Sequence, residues 1–147
     1  MKSKQPTIKY IEWRSPEELY EASHNWVSEL KFIKDEQHFL DELLENYTLQ
    51  LISDNIFEKS SAIIKELSAL RKNIEPMFKK VIKHQNELNI LLDGVDQPEE
   101  ERKYKQDHGK LMIEVCRYFN SYKDLKKEIF TLIKTIMKQS KQRRLLS

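Results

Sequence analysis

The stretch VIKHQNELNILLDGVDQPEE, residues 81–100, contains both a strong helical pattern and the clearest chain reversal of this sequence. Its first half repeats apolar residues at helical spacing, with His84 at a position where that spacing favours an apolar side chain. Its second half holds Gly94, one of two glycines in the chain, and then Pro98 followed by acids. Such residues are typical of a helix end and a new helix start. The stretch therefore predicts two helices joined by a short turn.

The same apolar spacing of three and four residues extends in both directions from this turn. Upstream it continues back to Ile56 and crosses Pro76 without a change of phase, which predicts a helix over 55–93 that is kinked or broken near Pro76. Downstream it continues to Ile136 and predicts a helix over 98–140.

A further helix precedes these two. Ser15, Pro16 and Glu18 form a capping box with a proline at the first helical position. A heptad pattern typical of coiled coils follows and loses its phase at residues 53–55, so this helix is predicted over 16–52.

The predicted architecture is all-α, an elongated antiparallel up-down-up bundle of three long helices, because short turns force neighbouring helices to reverse direction. In outline this is similar to a spectrin-like repeat, and no family motif extends the likeness beyond architecture. We divide the chain into an N-terminal strap over 1–15, the helical bundle over 16–140, and a basic C-terminal tail over 141–147.

Composition excludes several classes of function. Glycine occurs only at positions 94 and 109, so the chain has no dinucleotide-binding fingerprint, phosphate-binding loop or nucleophile elbow. The single cysteine, Cys116, excludes an internal disulfide and cysteine-based zinc sites. No apolar run is long enough for a membrane span or a signal peptide. We therefore expect a cytoplasmic protein that is not an enzyme.

Charge is strongly segregated although the chain's formal net charge is only +2. Residues 16–52 carry two bases and nine acids, whereas residues 98–147 carry thirteen bases and seven acids. An acidic first helix and a basic third helix should attract each other within the bundle. The segregation thus favours the predicted side-by-side packing.

Histidines give the one candidate metal site. In the predicted bundle, His84 faces roughly position 23 of the first helix and position 107 of the third, so His24, His84 and His108 can share one layer. Glu21 lies one turn from His24 in an ExxH pair. The structural interpretation is a partly wet polar layer in which His84 and His108 bond to polar neighbours or to each other and fix the register. The alternative is a zinc or iron site built from these residues.

Hemerythrin-like and ferritin-like bundles use such ligands. This chain lacks their second ExxH motif, paired glutamates and fourth helix, so we expect no cofactor.

Two further polar groups have structural interpretations. Glu36 and Gln37 point inward, where either should meet a lysine or arginine of the third helix rather than act in catalysis. The aromatic group Tyr118, Phe119 and Tyr122 could stack nucleic-acid bases, yet at helical spacing it is more typical of a core.

The basic tail offers a second alternative function. The stretch from Lys134 to Arg144, which runs into this tail, carries the bases Lys134, Lys138, Lys141, Arg143 and Arg144 and no acid. Such a patch suits weak binding to nucleic acid or to an anionic surface, and a solvated helix end explains it equally well.

Apolar residues exceed what a narrow bundle needs. The extra rows are Phe32, Phe39 and Leu43 in the first helix, and Phe57, Ile64, Phe78 and Leu92 in the second. We therefore expect an interaction or assembly module that forms a homodimer or binds another helical protein, because pairing would bury this excess. A nucleic-acid partner is the less favoured expectation and stays open as the alternative that the basic tail offers.

Overall fold

The computed structural model describes residues 14–53, 55–94 and 97–146. Within these ranges the regular structure is entirely helical, which confirms the predicted all-α class. Four helices pack against one another: α1 (Pro16–Asn46), α2 (Thr48–Leu51), α3 (Phe57–Asp93) and α4 (Pro98–Leu146). None of the helices in the described ranges is both long and apolar enough to cross a lipid bilayer.

The start of α1 follows the predicted capping box. The Ser15 side chain accepts a hydrogen bond from the backbone N–H of Glu18 at 3.3 Å, and Pro16 occupies the first turn. An N-cap oxygen of this kind satisfies one of the four backbone donors that a helix start leaves unpaired. The sequence pattern therefore located this helix start correctly.

The end of α1 differs from the prediction of one helix over 16–52. The helix ends at Asn46, and Tyr47 leaves helical geometry with φ −110° and ψ 20°. The Tyr47 N–H bonds to the Leu44 carbonyl at 3.1 Å, which tightens the last turn. The Thr48 hydroxyl then donates to the Glu45 carbonyl at 2.6 Å and so competes with the helical ladder. The short helix α2 follows and buries Leu51.

Helix α3 is continuous through Pro76, so the predicted possibility of a break near that residue is wrong. A proline removes one backbone hydrogen bond, but Ile74 and Val81 on either side of it are buried in the same core. Packing on both sides thus keeps the two halves in one helix. Gly94 ends α3 as predicted, in extended rather than left-handed backbone at φ −86° and ψ 163°.

Helix α4 continues beyond its predicted end at residue 140 and reaches Leu146. The part of the predicted tail over 141–146 is therefore helical, with every residue exposed. Gly109 lies buried inside this helix and does not interrupt it. The predicted strap over 1–15 lies outside the described residues except for Arg14 and Ser15, and Ser147 lies outside them as well.

One hydrophobic core joins the helices, with α3 packed against both α1 and α4. The largest fully buried side chains are Leu19, Leu30, Leu40, Leu67, Leu88, Leu125, Ile129, Ile136, His108, Gln37 and Val81. Ion pairs tie the exposed edges: Lys34 with Glu75, Arg71 with Asp41 at 2.9 Å, and Lys80 with Glu114 at 3.1 Å. Surface pairs of this kind contribute little, so the apolar core supplies most of the stability.

Candidate functional site

The centre of the candidate site is a buried pair of histidines on two helices. His84 of α3 and His108 of α4 are 4% and 0% exposed, and the His84 Nε2 lies 2.8 Å from the His108 Nδ1. At this distance the two rings share one hydrogen bond, which requires at least one of them to be neutral. The pair therefore explains why a polar residue stands at position 84: it has a dedicated partner on the facing helix.

Aromatic rings enclose the histidine pair. The His84 ring stacks on the Tyr104 ring at 4.2 Å between centroids, and the His108 ring stacks on Trp26 of α1 at 4.8 Å. The Tyr104 hydroxyl also donates to the His84 carbonyl at 3.0 Å. Ser23 of α1 is fully buried within hydrogen-bond reach of Tyr104. Ser23 therefore lies beside Tyr104, the residue that stacks on His84, whereas the predicted partly wet environment of the two histidines is wrong.

Burial keeps both imidazoles neutral. Loss of solvation lowers the pKa of His84 from 6.5 to about 4, although the nearby Asp107 carboxylate acts in the opposite direction. The pKa of His108 is also lowered, first by burial and then by the neighbouring His84 and Arg14. The His108 Nε2 is buried and has no hydrogen-bond partner in the part of the chain that the structure describes. Either tautomer of the pair leaves this one polar atom unpaired.

The candidate metal ligands do not converge as predicted. His24 is exposed and stacks on Tyr20 at 6.5 Å, so the predicted layer of three histidines is reduced to His84 and His108. Glu21 is exposed on the same helix. Among residues 14–53, 55–94 and 97–146, no group of three or more His, Cys, Asp or Glu side chains is arranged to hold a metal ion. The one-residue difference between positions 23 and 24 turns His24 away from the layer, because successive helical residues point about 100° apart.

A second polar cluster links α1 to α4 around Glu36. Its carboxylate accepts a hydrogen bond from the Tyr122 hydroxyl at 2.6 Å and from the Lys126 Nζ at 3.0 Å. Burial acts to raise the pKa of Glu36, but these two hydrogen bonds and the Lys126 charge outweigh it and hold the pKa below 4.5. The prediction that Glu36 meets a base of the third helix is therefore confirmed. Burial and the Glu36 carboxylate strongly raise the pKa of Tyr122.

Gln37 is satisfied by a tyrosine rather than by a base. Its Nε2 donates to the Tyr118 hydroxyl at 2.9 Å, and that hydroxyl donates to the Leu70 carbonyl at 2.6 Å. The chain of bonds thus joins α1, α4 and α3 in one layer. Tyr118 and Tyr122 are both buried, as expected for core residues.

Large apolar side chains remain exposed where α1 and α4 lie beside each other. Phe32 and Phe39 on α1 are 56% and 55% exposed, and they lie on either side of Glu36 along the helix. Phe130 on α4 is 47% exposed and follows Lys126 by one turn. Because Glu36 contacts Lys126, these rows are neighbours. We call the surface formed by Phe32, Phe39, Leu43, Phe130 and Met137 the α1–α4 face.

A second apolar surface lies at the corner between α1, α2 and α3. This corner groove encloses about 370 Å³ and is lined by Asp41, Leu44, Glu45, Thr48, Leu51, Ile52, Phe57, Ser60, Ser61, Ile64 and Lys65. Phe57 is 52% exposed there. The Ser60 hydroxyl is buried beneath it without a hydrogen-bond partner among the described residues.

The predicted basic residues of the tail all lie on α4. The structure leaves Lys134, Lys138, Lys141, Arg143 and Arg144 exposed. At about 100° per residue, all of them except Arg143 fall on the side of α4 that carries Phe130 and Met137. The tail is therefore part of a longer basic surface rather than a separate patch.

No family model, curated protein or solved structure matches this chain. A functional proposal for it therefore rests on the geometric features described above.

Proposed function

We propose that this protein is a non-enzymatic helical-bundle module for interaction or assembly, and that it pairs through the α1–α4 face. The observation that carries the proposal is the row of half-exposed phenylalanines on that face. Contiguous apolar rows on a folded surface commonly mark a binding surface, because leaving them in water forgoes the free energy of burial.

The proposal includes an elongated up-down-up arrangement of α1, α3 and α4. Contacts between α3 and α4 support opposite directions, since His84 meets His108 while Lys80, earlier on α3, meets Glu114, later on α4. Contacts between α1 and α4 support a common direction, since Trp26 meets His108 and Gln37 meets Tyr118.

The composition of the α1–α4 face favours a helical partner. Phe32 and Phe39 are seven residues apart, which is the repeat that a packed helix presents to a neighbour. Phe130 and Met137 show the same interval on α4, and Met137 is 55% exposed. Two parallel rows at this interval form a groove that another pair of helices can fill.

Sedimentation velocity across a range of protein concentrations tests the proposal. We expect the protein to self-associate, and we expect the double variant Phe39→Ser/Phe130→Ser to weaken self-association by about tenfold or more, because truncating buried aromatic anchors costs at least 1–2 kcal/mol at an interface. Circular dichroism should show unchanged helix content, since both side chains are exposed in the single chain.

The matched control is Phe57→Ser/Ile64→Ser in the corner groove, which removes a similar apolar area elsewhere. It should leave self-association unchanged. A protein that stays monomeric at every concentration, or a control variant that matches the effect of Phe39→Ser/Phe130→Ser, would contradict the proposal.

The alternatives of a metal site and of nucleic-acid binding have less support than pairing through the α1–α4 face. His84 and His108 share one hydrogen bond that leaves the His108 Nε2 unpaired among the described residues, and within those residues no group of three or more potential ligands is arranged to hold a metal ion. The bases of α4 flank the same face that the proposed pairing uses, so they have a role within it.

A further inference from the structure

Resting on the proposed function, we infer that the partner on the α1–α4 face is a second copy of this chain. The two copies are related by a two-fold axis parallel to the helices, so that α1 of each copy lies on α4 of the other. The inference is carried by a difference in charge between the two halves of this one apolar surface.

The α1 half of the face is acidic. On a helix that turns about 100° per residue, seven acids lie within about 90° of the row formed by Phe32 and Phe39, and one base, Lys31, lies at that limit. The acids are Glu17, Glu18, Glu21, Glu29, Asp35, Glu36 and Glu42. All except Glu36 are exposed, so their charges face outward around the apolar row.

The α4 half of the face is basic. From residue 123 onward, the side of α4 within about 90° of Phe130 and Met137 carries seven bases and no acid. The bases are Lys123, Lys126, Lys127, Lys134, Lys138, Lys141 and Arg144. The acids of this region, Asp124 and Glu128, lie on the far side of the helix. Within one chain, an ion pair between Glu36 and Lys126 bridges the two halves of this face.

Symmetry then selects the orientation of the second copy. A two-fold axis perpendicular to the helices would place α1 on α1 and α4 on α4, which sets acid against acid and base against base. An axis parallel to the helices places the acidic row of each copy on the basic row of the other, so the complex contains two such contacts. Like-charge juxtaposition suppresses the first arrangement, and electrostatic complementarity favours the second.

The positions of the charges along the helices agree with a two-fold axis parallel to the helices. Glu36 of α1 lies level with Tyr122 and Lys126 of α4. Under the parallel axis, Asp35 therefore faces the region of Lys123 in the second copy, and Glu42 lies two turns further along α1, between the levels of Lys127 and Lys134. Phe39 lies between Asp35 and Glu42 on α1, and Phe130 lies about one turn beyond Lys127 on α4, so apolar and charged contacts alternate along the same face.

A charge-swap experiment tests the pairing. The variant Asp35→Lys/Glu42→Lys places bases on α1, and the variant Lys123→Glu/Lys127→Glu places acids on α4. At low ionic strength, each variant alone should self-associate about tenfold or more weakly than the wild-type protein, because like charges then face each other. Mixed in equal amounts, the two variants should form a heterodimer about as strong as the wild-type dimer, since both contacts regain opposite charges.

Lys59→Glu/Lys72→Glu on α3 is the matched control for Lys123→Glu/Lys127→Glu, because it makes the same change in net charge outside the face. It should self-associate like the wild-type protein. The inference is overturned if the mixture stays as weak as its components, if the single variants associate normally, or if Asp35→Lys/Glu42→Lys pairs best with the wild-type chain, as the perpendicular axis requires. Normal association of the charge variants, with loss only in Phe39→Ser/Phe130→Ser, would leave the proposed function standing and remove this inference alone.

Discussion

The bundle contains two clusters of polar side chains at buried or partly buried positions, and the two differ in how they avoid the cost of an unpaired charge. The first, His84 and His108, is sealed from solvent, stacked between aromatic rings and held neutral by burial. The second, Glu36 with Tyr122 and Lys126, lies at the edge of the α1–α4 face and is held charged by its partners. The histidine cluster is therefore uncharged, whereas the Glu36 cluster contains an ion pair.

This difference determines how each cluster responds to acid. The folded-state pKa values of the histidines lie below 6.5, so their contribution to stability is complete above that pH and is lost as the pH falls toward 4. The folded-state pKa of Glu36 lies below 4.5, so its contribution is lost only at lower pH. The buried neutral pair is therefore the more sensitive of the two near physiological pH.

The largest expected effect is acid destabilisation through the histidines. Lowering the pH from 7 to 5 should reduce the free energy of unfolding by about 2–4 kcal/mol, because the unfolded chain binds protons at His84 and His108 that the folded chain excludes. Urea titrations at a series of pH values measure this. The double variant His84→Leu/His108→Leu should remove most of the pH dependence, and an equal slope in that variant would show that other groups cause it.

A single substitution in the pair should cost more than the double substitution. At pH 7, His84→Leu should reduce the free energy of unfolding by about 1–3 kcal/mol, because it leaves both ring nitrogens of His108 buried without partners. The double variant replaces both polar groups with apolar ones and should be closer to the wild-type protein. If the double variant loses as much stability as the two single variants added together, the two histidines are not coupled.

The stability contributed by the cluster of Glu36, Tyr122 and Lys126 should depend less on any one hydrogen bond. We expect Tyr122→Phe to reduce the free energy of unfolding by about 1–2 kcal/mol, since it removes a hydrogen bond to a charged acceptor but leaves the buried ring in place. The same substitution should raise the pKa of Glu36, which carboxyl resonances in an NMR titration measure directly. An unchanged Glu36 pKa would contradict the assigned contact.

Removing the lysine should have the smallest effect. Lys126→Met should reduce the free energy of unfolding by less than about 1 kcal/mol, because Lys126 and Glu36 keep 32% and 20% of their side-chain surface exposed and solvent screens the pair. The loss should shrink further at high ionic strength. A salt-independent loss of several kcal/mol would instead show that the lysine stem packs as part of the core.

Much of the fold follows from the sequence because the signals are periodic and local. The capping box at Ser15 and the turn at Gly94 were located correctly, since each depends on a few neighbouring residues. The helix break at Tyr47 was missed, because Leu44 and Leu51 keep their apolar spacing across it. The weak helix formers Asn46, Tyr47 and Thr48 were the available signal.

The sequence predicts which positions along the helices meet in the candidate site, but it predicts the side-chain contacts at that site less well. Counting from the turns placed His84 opposite position 23 and beside His108, and the contact between the two histidines confirms the second of these placements. The same counting could not decide between Ser23 and His24, because a shift of one residue rotates a side chain about 100° around the helix. The stacking of Trp26 and Tyr104 on the two rings depends on side-chain conformations that spacing does not determine.

The extension of α4 past Ile136 has a consequence for local dynamics. Ile136 is the last buried residue of this helix, and the turns up to Leu146 have no buried side chain to hold them. A free peptide of that length would form little helix in water. Here the packed part of α4 is already helical, so each further turn extends an existing helix and needs no new nucleation. Amide hydrogens beyond Ile136 should accordingly exchange with solvent in a gradient toward Leu146, one turn after another, long before those of the core.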